Sequence, residues 1–226
     1  MPPAGVLSYR PMLLAGLFAG CLFVALVGAD WWLFRRLTAE TVRYGCPVAR
    51  AEETVPVEPD HRWLTEFSAD GLLQLDHGIA RFFPAERRIL LRPHSGRLSS
   101  RFRTAWPLKG TVELDGADGS ARLRCVKLMP WSSALLTLLW FAVVGVGTLA
   151  FVVRFLTGDD PLSLGGLLLV LGVTGVGLLV LAFGLVTVSL AYRLEDQRLM
   201  QVYQELRTVL TGQSVPAQPE VKSDRK

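Results

Sequence analysis

"GGLLLVLGVTGVGLLVLAFG", residues 165 to 184, carries no charge and enough leucine and valine to live in lipid, yet six of its residues are glycine. Glycine costs a helix interior roughly 1 kcal/mol relative to alanine, so its repeated use here needs a reason. About 20 apolar residues cross the hydrocarbon of a bilayer. Backbone groups in lipid must be satisfied internally, which favours helix over open strand. The stretch therefore predicts a transmembrane helix.

Working outward, the uncharged run extends from Leu162 to Leu190, and two more apolar runs occur at Met12 to Leu33 and Ser132 to Val153. Asp30 is the only acid or base inside any of them. These three runs explain why 50% of the 226 residues are hydrophobic. In the first run, Val27-Gly28-Ala29 resembles a signal-peptide cleavage site and Cys21 in "LFAGC" a lipidation site. Only Arg10 precedes the run, however, and Trp31-Trp32 followed by Arg35-Arg36 reads as an interfacial anchor. An uncleaved span is the expectation. Arginine outnumbers lysine twenty to four, a codon signature that suggests a GC-rich bacterial genome.

Lysine and arginine near the span ends set the expected orientation. Arg35, Arg36, Arg43 and Arg50 follow the first run, Arg122, Arg124 and Lys127 precede the second, and Arg193, Arg198 and Arg207 follow the third. The opposite ends carry only Arg10 and Arg154. The chain is expected in a bacterial cytoplasmic (inner) membrane, N-terminus outside, with residues 35–130 and the C-terminal tail in the cytoplasm. Cys46 and Cys125 bracket the 35–130 segment and pull the other way, since a disulfide between them would imply an oxidising compartment.

Residues 35–130 read as a small antiparallel β domain of five or six strands. Alternating runs recur between turn residues: "GLLQLD", "IARFF", "RRILLR", "RFRTAW" and the hairpin "GTVELDGADGSARLRCVKL". Placing Asp115 opposite Ser120 would pair Val112 with Leu123 and Glu113 with Arg122. It would also gather Val112, Leu114, Leu123 and Cys125 on one face. "DHRWLTEF" predicts one short helix capped by Asp60, with Trp63 and Phe67 on one face. Beyond residue 192, "RLEDQRLMQVYQELRTVLTG" continues at helical spacing, with Leu199, Val202, Tyr203, Leu206, Val209 and Leu210 on one face and Gly212 ending it. The fold class is membrane α + β, divided at 1–34, 35–130, 131–192, 193–212 and a disordered tail at 213–226.

Chemistry is sparse. The three histidines, His61, His77 and His94, all lie in the β domain, so no span offers a histidine haem ligand. No Glu, Lys or His interrupts a span as a proton path would. Asp76-His77 beside Ser95, Ser99 or Ser100 suggests a general base and nucleophile, but Asp-His-Gly between alternating runs is turn chemistry. No metal, phosphate-loop or nucleophile-elbow motif occurs. The expectation is a protein that is not an enzyme and has no catalytic residue, cofactor or metal.

Two features remain. Seven arginines, Arg81, Arg87, Arg88, Arg92, Arg97, Arg101 and Arg103, form a basic stretch. It reads either as a solvated sheet face or as a surface for anionic lipid headgroups or an acidic partner. Nucleic acid is not expected, because no recognition helix or RNP-like pattern accompanies the stretch. The glycines supply the second feature. Gly166, Gly177, Gly184 and Ala191 fall within about 40° of one another around the third helix, and Gly165, Gly172, Gly175 and Ala182 make a broader strip on the far side. Gly16 and Gly20 lie one turn apart on the first helix. Small residues allow membrane helices to approach closely, though glycine is common in such helices generally.

The expected role is therefore a non-catalytic accessory, scaffold or assembly subunit of a larger membrane complex. Other membrane subunits would meet the third helix and the near-neutral C-terminal helix. The alternatives are a β module binding anionic lipid or an acidic ligand through its arginines, and a membrane-bound enzyme using Asp76, His77 and a serine.

Overall fold

The computed structural model describes residues 9–56, 62–94, 104–115, 120–157 and 163–212. Among these, three helices are long and apolar enough to cross a membrane: α1 (Tyr9–Arg35), α2 (Trp131–Leu156) and α3 (Leu164–Thr211). Within their most apolar windows no more than 6% of residues are buried by the chain itself. Leucine and valine left that bare suit lipid and not water.

Between α1 and α2 lies a six-stranded antiparallel sheet. It comprises β1 (Cys46–Pro56), β2 (Leu72–Gln74), β3 (Gly78–Phe83), β4 (Arg88–Pro93), β5 (Lys109–Asp115) and β6 (Ser120–Met129), in the order β1-β6-β5-β4-β3-β2. β2 to β6 form a meander, and the first strand closes back on the last. β1 replaces "RFRTAW" in the expected strand set, since the described residues of that run, 104–106, are not in a strand. β1 escapes an alternation search because it is an edge strand whose Arg50, Ala51 and Glu52 are exposed in succession.

The β5–β6 hairpin is displaced by two residues from the expected register. Asp115 faces Arg122, Glu113 faces Arg124, and Val112 faces Cys125. A slip of two preserves the side-chain alternation, so the apolar face is unchanged while the ion pair moves to Glu113–Arg124, at 3.9 Å. Cys46 pairs with Met129 and Cys125 with Ala51, so the two cysteines lie four positions apart along neighbouring strands. That separation is about 13 Å, beyond disulfide reach, and both thiols are free.

α3 is continuous for 48 residues, about 72 Å at helical rise. Its C-terminal half lies across one face of the sheet. Leu199, Val202, Tyr203, Leu206 and Leu210 pack there with Val55, Ala80, Ile89, Leu91, Val112, Leu123 and Cys125. Gly78 and Gly110 make room for it, because a Cβ at either position would press on Val202 or Leu199. Gly212, at φ 63°, ends the helix in the left-handed conformation that glycine accepts without penalty.

The opposite face of the sheet is partly covered by the segment that follows α1. There Val42 and Leu90 are fully buried, and Thr111 Oγ1 donates to the Val42 carbonyl at 2.8 Å. Gly45, at φ 133°, lets this segment turn tightly against Met129. The expected helix at "DHRWLTEF" is a 3-10 turn at Arg62–Glu66 with Phe67 buried after it. Asp60, the side chain of Trp63 and residues 213–226 lie outside the described residues.

Candidate functional site

The small-residue strips divide sharply by what faces them. On α3, a Cβ added at Gly166 would collide with Phe155, at Gly177 with Thr148, and at Gly184 with the ring of Trp140. These three glycines seat α3 directly on side chains of α2. Ala191, about two turns further, is buried as well. By contrast, added Cβ atoms at Gly165, Gly172 and Gly175 meet nothing within 4 Å, and neither do those at Gly16 and Gly20. Along α1, Leu13, Gly16, Leu17, Gly20, Cys21, Val24 and Ala25 line an open apolar groove.

Where the helices enter the sheet domain, one carboxylate organises the junction. Asp30 is buried. Its Oδ1 accepts from Tyr44 Oη at 2.6 Å, and its Oδ2 from the Ser132 amide at 2.9 Å and Ser132 Oγ at 2.6 Å. Pro130 occupies the N-cap of α2 and has no side chain able to cap it. Asp30 therefore caps α2 from α1, placing negative charge at the positive end of the helix dipole. The hydrogen bond to Asp30 and burial push the Tyr44 hydroxyl up to about 12.

Beside this group Lys109 is almost wholly buried, 2% exposed. Its Nζ donates to the Thr41 carbonyl at 2.7 Å and lies 4.5 Å from the Phe34 ring centre and 5.9 Å from that of Tyr44. Burial lowers its pKa to about 8, with the attraction of Asp30 opposing. Asp30, Tyr44, Ser132, Thr41 and Lys109 thus tie both helix ends to the sheet. In the sequence, the single acid in an apolar run was a visible signal, but its partners were not.

The described arginines of the basic stretch do not form one free face. Arg88 pairs with Glu113 and lies 3.8 Å from Glu86. Arg81 donates to the Leu37 carbonyl and Arg92 to that of Arg35, at 2.8 Å for the latter. Both serve carbonyls at the C-terminal end of α1, where backbone acceptors lack partners within the helix. Arg87 is exposed in a turn at φ 49°. Arg97, Arg101 and Arg103 lie outside the described residues.

The Asp76-His77 pair sits at the tip of the β2–β3 hairpin, closed by backbone bonds between Leu75 and Gly78. The His77 ring meets Glu205 of α3, and the His77 amide donates to Glu205 Oε2 at 3.2 Å. His77 is thereby part of the α3 attachment, while Ser95, Ser99, Ser100 and His61 lie outside the described residues. Further links between α3 and the sheet are Lys127–Asp196, Arg207–Glu53 at 2.7 Å, and Tyr203 Oη to Glu53 at 3.4 Å. Among the described residues no three His, Cys, Asp or Glu side chains gather as metal ligands would. Compared with known proteins, the chain matches no family model, no curated protein and no solved structure.

Proposed function

We propose that this chain is a non-catalytic accessory, scaffold or assembly subunit of a larger complex in a bacterial cytoplasmic membrane, with its sheet and C-terminus on the cytoplasmic side. The observation that carries the reading is the division of the small-residue strips. One is taken up by α2, whereas an added Cβ at Gly165, Gly172, Gly175, Gly16 or Gly20 would meet nothing within 4 Å among the described residues. In lipid, helices associate through close backbone approach, so the unoccupied strips suit helices of other subunits. The buried junction at Asp30 and Lys109 and the attachments along α3 hold the sheet in a fixed relation to the membrane helices, as a scaffold requires. The sheet and the end of α3 share one side, and the arginines and lysines clustered there support a cytoplasmic placement.

Extraction in mild detergent followed by identification of what co-migrates tests this. A larger assembly is expected, and Gly16→Leu/Gly20→Leu or Gly172→Leu/Gly175→Leu should release the chain from it while leaving the chain folded. Wild-type protein that runs alone as a monomer contradicts the proposal.

A further inference from the structure

Four arginines gather around the segment where α1 ends. Arg35, the last residue of α1, and Arg36 after it lie beside two tryptophans, Arg35 5.4 Å from the Trp31 ring centre and Arg36 3.5 Å from that of Trp32. Arg81 and Arg92 reach the same place from the sheet. Because Arg81 pairs with Leu90 and Ile79 with Arg92, the two are diagonal neighbours on one face of β3 and β4. They arrive on carbonyls two residues apart, Leu37 and Arg35.

None of the four is ion-paired with a carboxylate among the described residues. The pairs that form there use Glu52, Glu53, Glu86, Glu113, Glu195, Asp196 and Glu205. Glu40, on the segment after α1, is exposed and joins none of them. A guanidinium carries five N–H donors, and among the described residues Arg81 and Arg92 each give a hydrogen bond to one carbonyl. Burial and then repulsion from Arg35 hold Arg92 below its usual pKa, as expected of like charges crowded without a counter-ion.

Tryptophan belts mark the headgroup level of a bilayer, and guanidinium groups bind phosphate oxygens in bidentate fashion. We infer that the phosphate of an anionic phospholipid sits among Arg35, Arg36, Arg81 and Arg92. The Trp31-Trp32 pair selects a lipid over a soluble anion, because it places the cluster where headgroups lie. This site goes beyond the proposed subunit role and stands whether or not other subunits are present. It also differs from a broad basic sheet face, since Arg35 ends α1 and Arg36 directly follows it.

Native mass spectrometry of the full chain in mild detergent, titrated with dioleoyl-phosphatidylglycerol or inorganic phosphate, tests the site. Arg35→Gln/Arg36→Gln removes two cations and leaves both carbonyl contacts of Arg81 and Arg92 in place. It should weaken phosphatidylglycerol binding roughly thirtyfold, while Arg87→Gln, outside the cluster, binds as the wild type does. Undiminished binding by the double variant overturns the inference. So does an equal loss in Arg87→Gln, or inorganic phosphate bound as tightly as the lipid.

Discussion

Lys109 is the residue whose chemistry departs furthest from what its type leads one to expect. The groups around it are Asp30, Tyr44, Phe34 and Thr41, and burial lowers its pKa to about 8 from 10.5. Below pH 8 the folded and unfolded chains both hold this proton, and folding bears the full cost of burying the charge. Above pH 8 the folded chain releases the proton while the unfolded chain keeps it, so stability rises with pH. Cys125, raised to about 11, and Tyr44 and Tyr203, raised to about 12, act in the opposite sense above pH 9 and 10. Between pH 8 and 9, then, thermal unfolding in detergent should shift upward with pH in the wild type and stay flat in Lys109→Met. Equal pH profiles for the two proteins would contradict this. Asp30→Asn should cost about 1 to 2 kcal/mol by weakening the cap on α2, measured by denaturation in the same detergent. An unchanged midpoint would remove Asp30 from that role. Neither partner set was legible in the sequence. Asp30 reaches a serine 102 residues away, and Lys109, Arg81 and Arg92 bind backbone carbonyls, which leave no residue-type signature.

At the level of elements, periodicity carried most of what was legible. The apolar runs appear as α1, α2 and the first half of α3, and the 3.6-residue spacing past Arg193 appears as the buried stripe Leu199, Val202, Leu206 and Leu210. Alternation identified the inner face of β5 and β6 because a two-residue slip leaves faces intact. It could not find the register, which depends on the width of the turn between them. Nor could it find β1, where an exposed edge relieves the chain of any need to alternate. Leu206 is fully buried between α3 and the sheet, so Leu206→Ala should destabilise the chain by about 2 to 5 kcal/mol. Hydrogen exchange should then quicken in β3 to β5 and in residues 195–210 while the α2–α3 seam stays protected. Uniform loss of protection would mean that the two parts of α3 do not act as separate packing surfaces.

For the molecule as a whole, α3 is the member shared by the apolar helices and the sheet. Its first half meets α2 through missing side chains, and its second half closes the core of the sheet through large ones. The glycines of residues 165–184 thus accompany two different surfaces, one closed by α2 and one open. The seam is most exposed to test at its centre, where a Cβ at position 177 would lie 3.2 Å from the Cβ of Thr148, a few tenths of an ångström inside the roughly 3.5–4.5 Å of a disulfide. The direct measurement is oxidative cross-linking of Thr148→Cys/Gly177→Cys in intact membranes, with Cys21 replaced by serine and the linked peptides read by mass spectrometry. The account predicts near-complete linkage within one chain, and little from a control pair at Thr148 and Gly175. Absence of the 148–177 link, or equal linkage of the control, would contradict it.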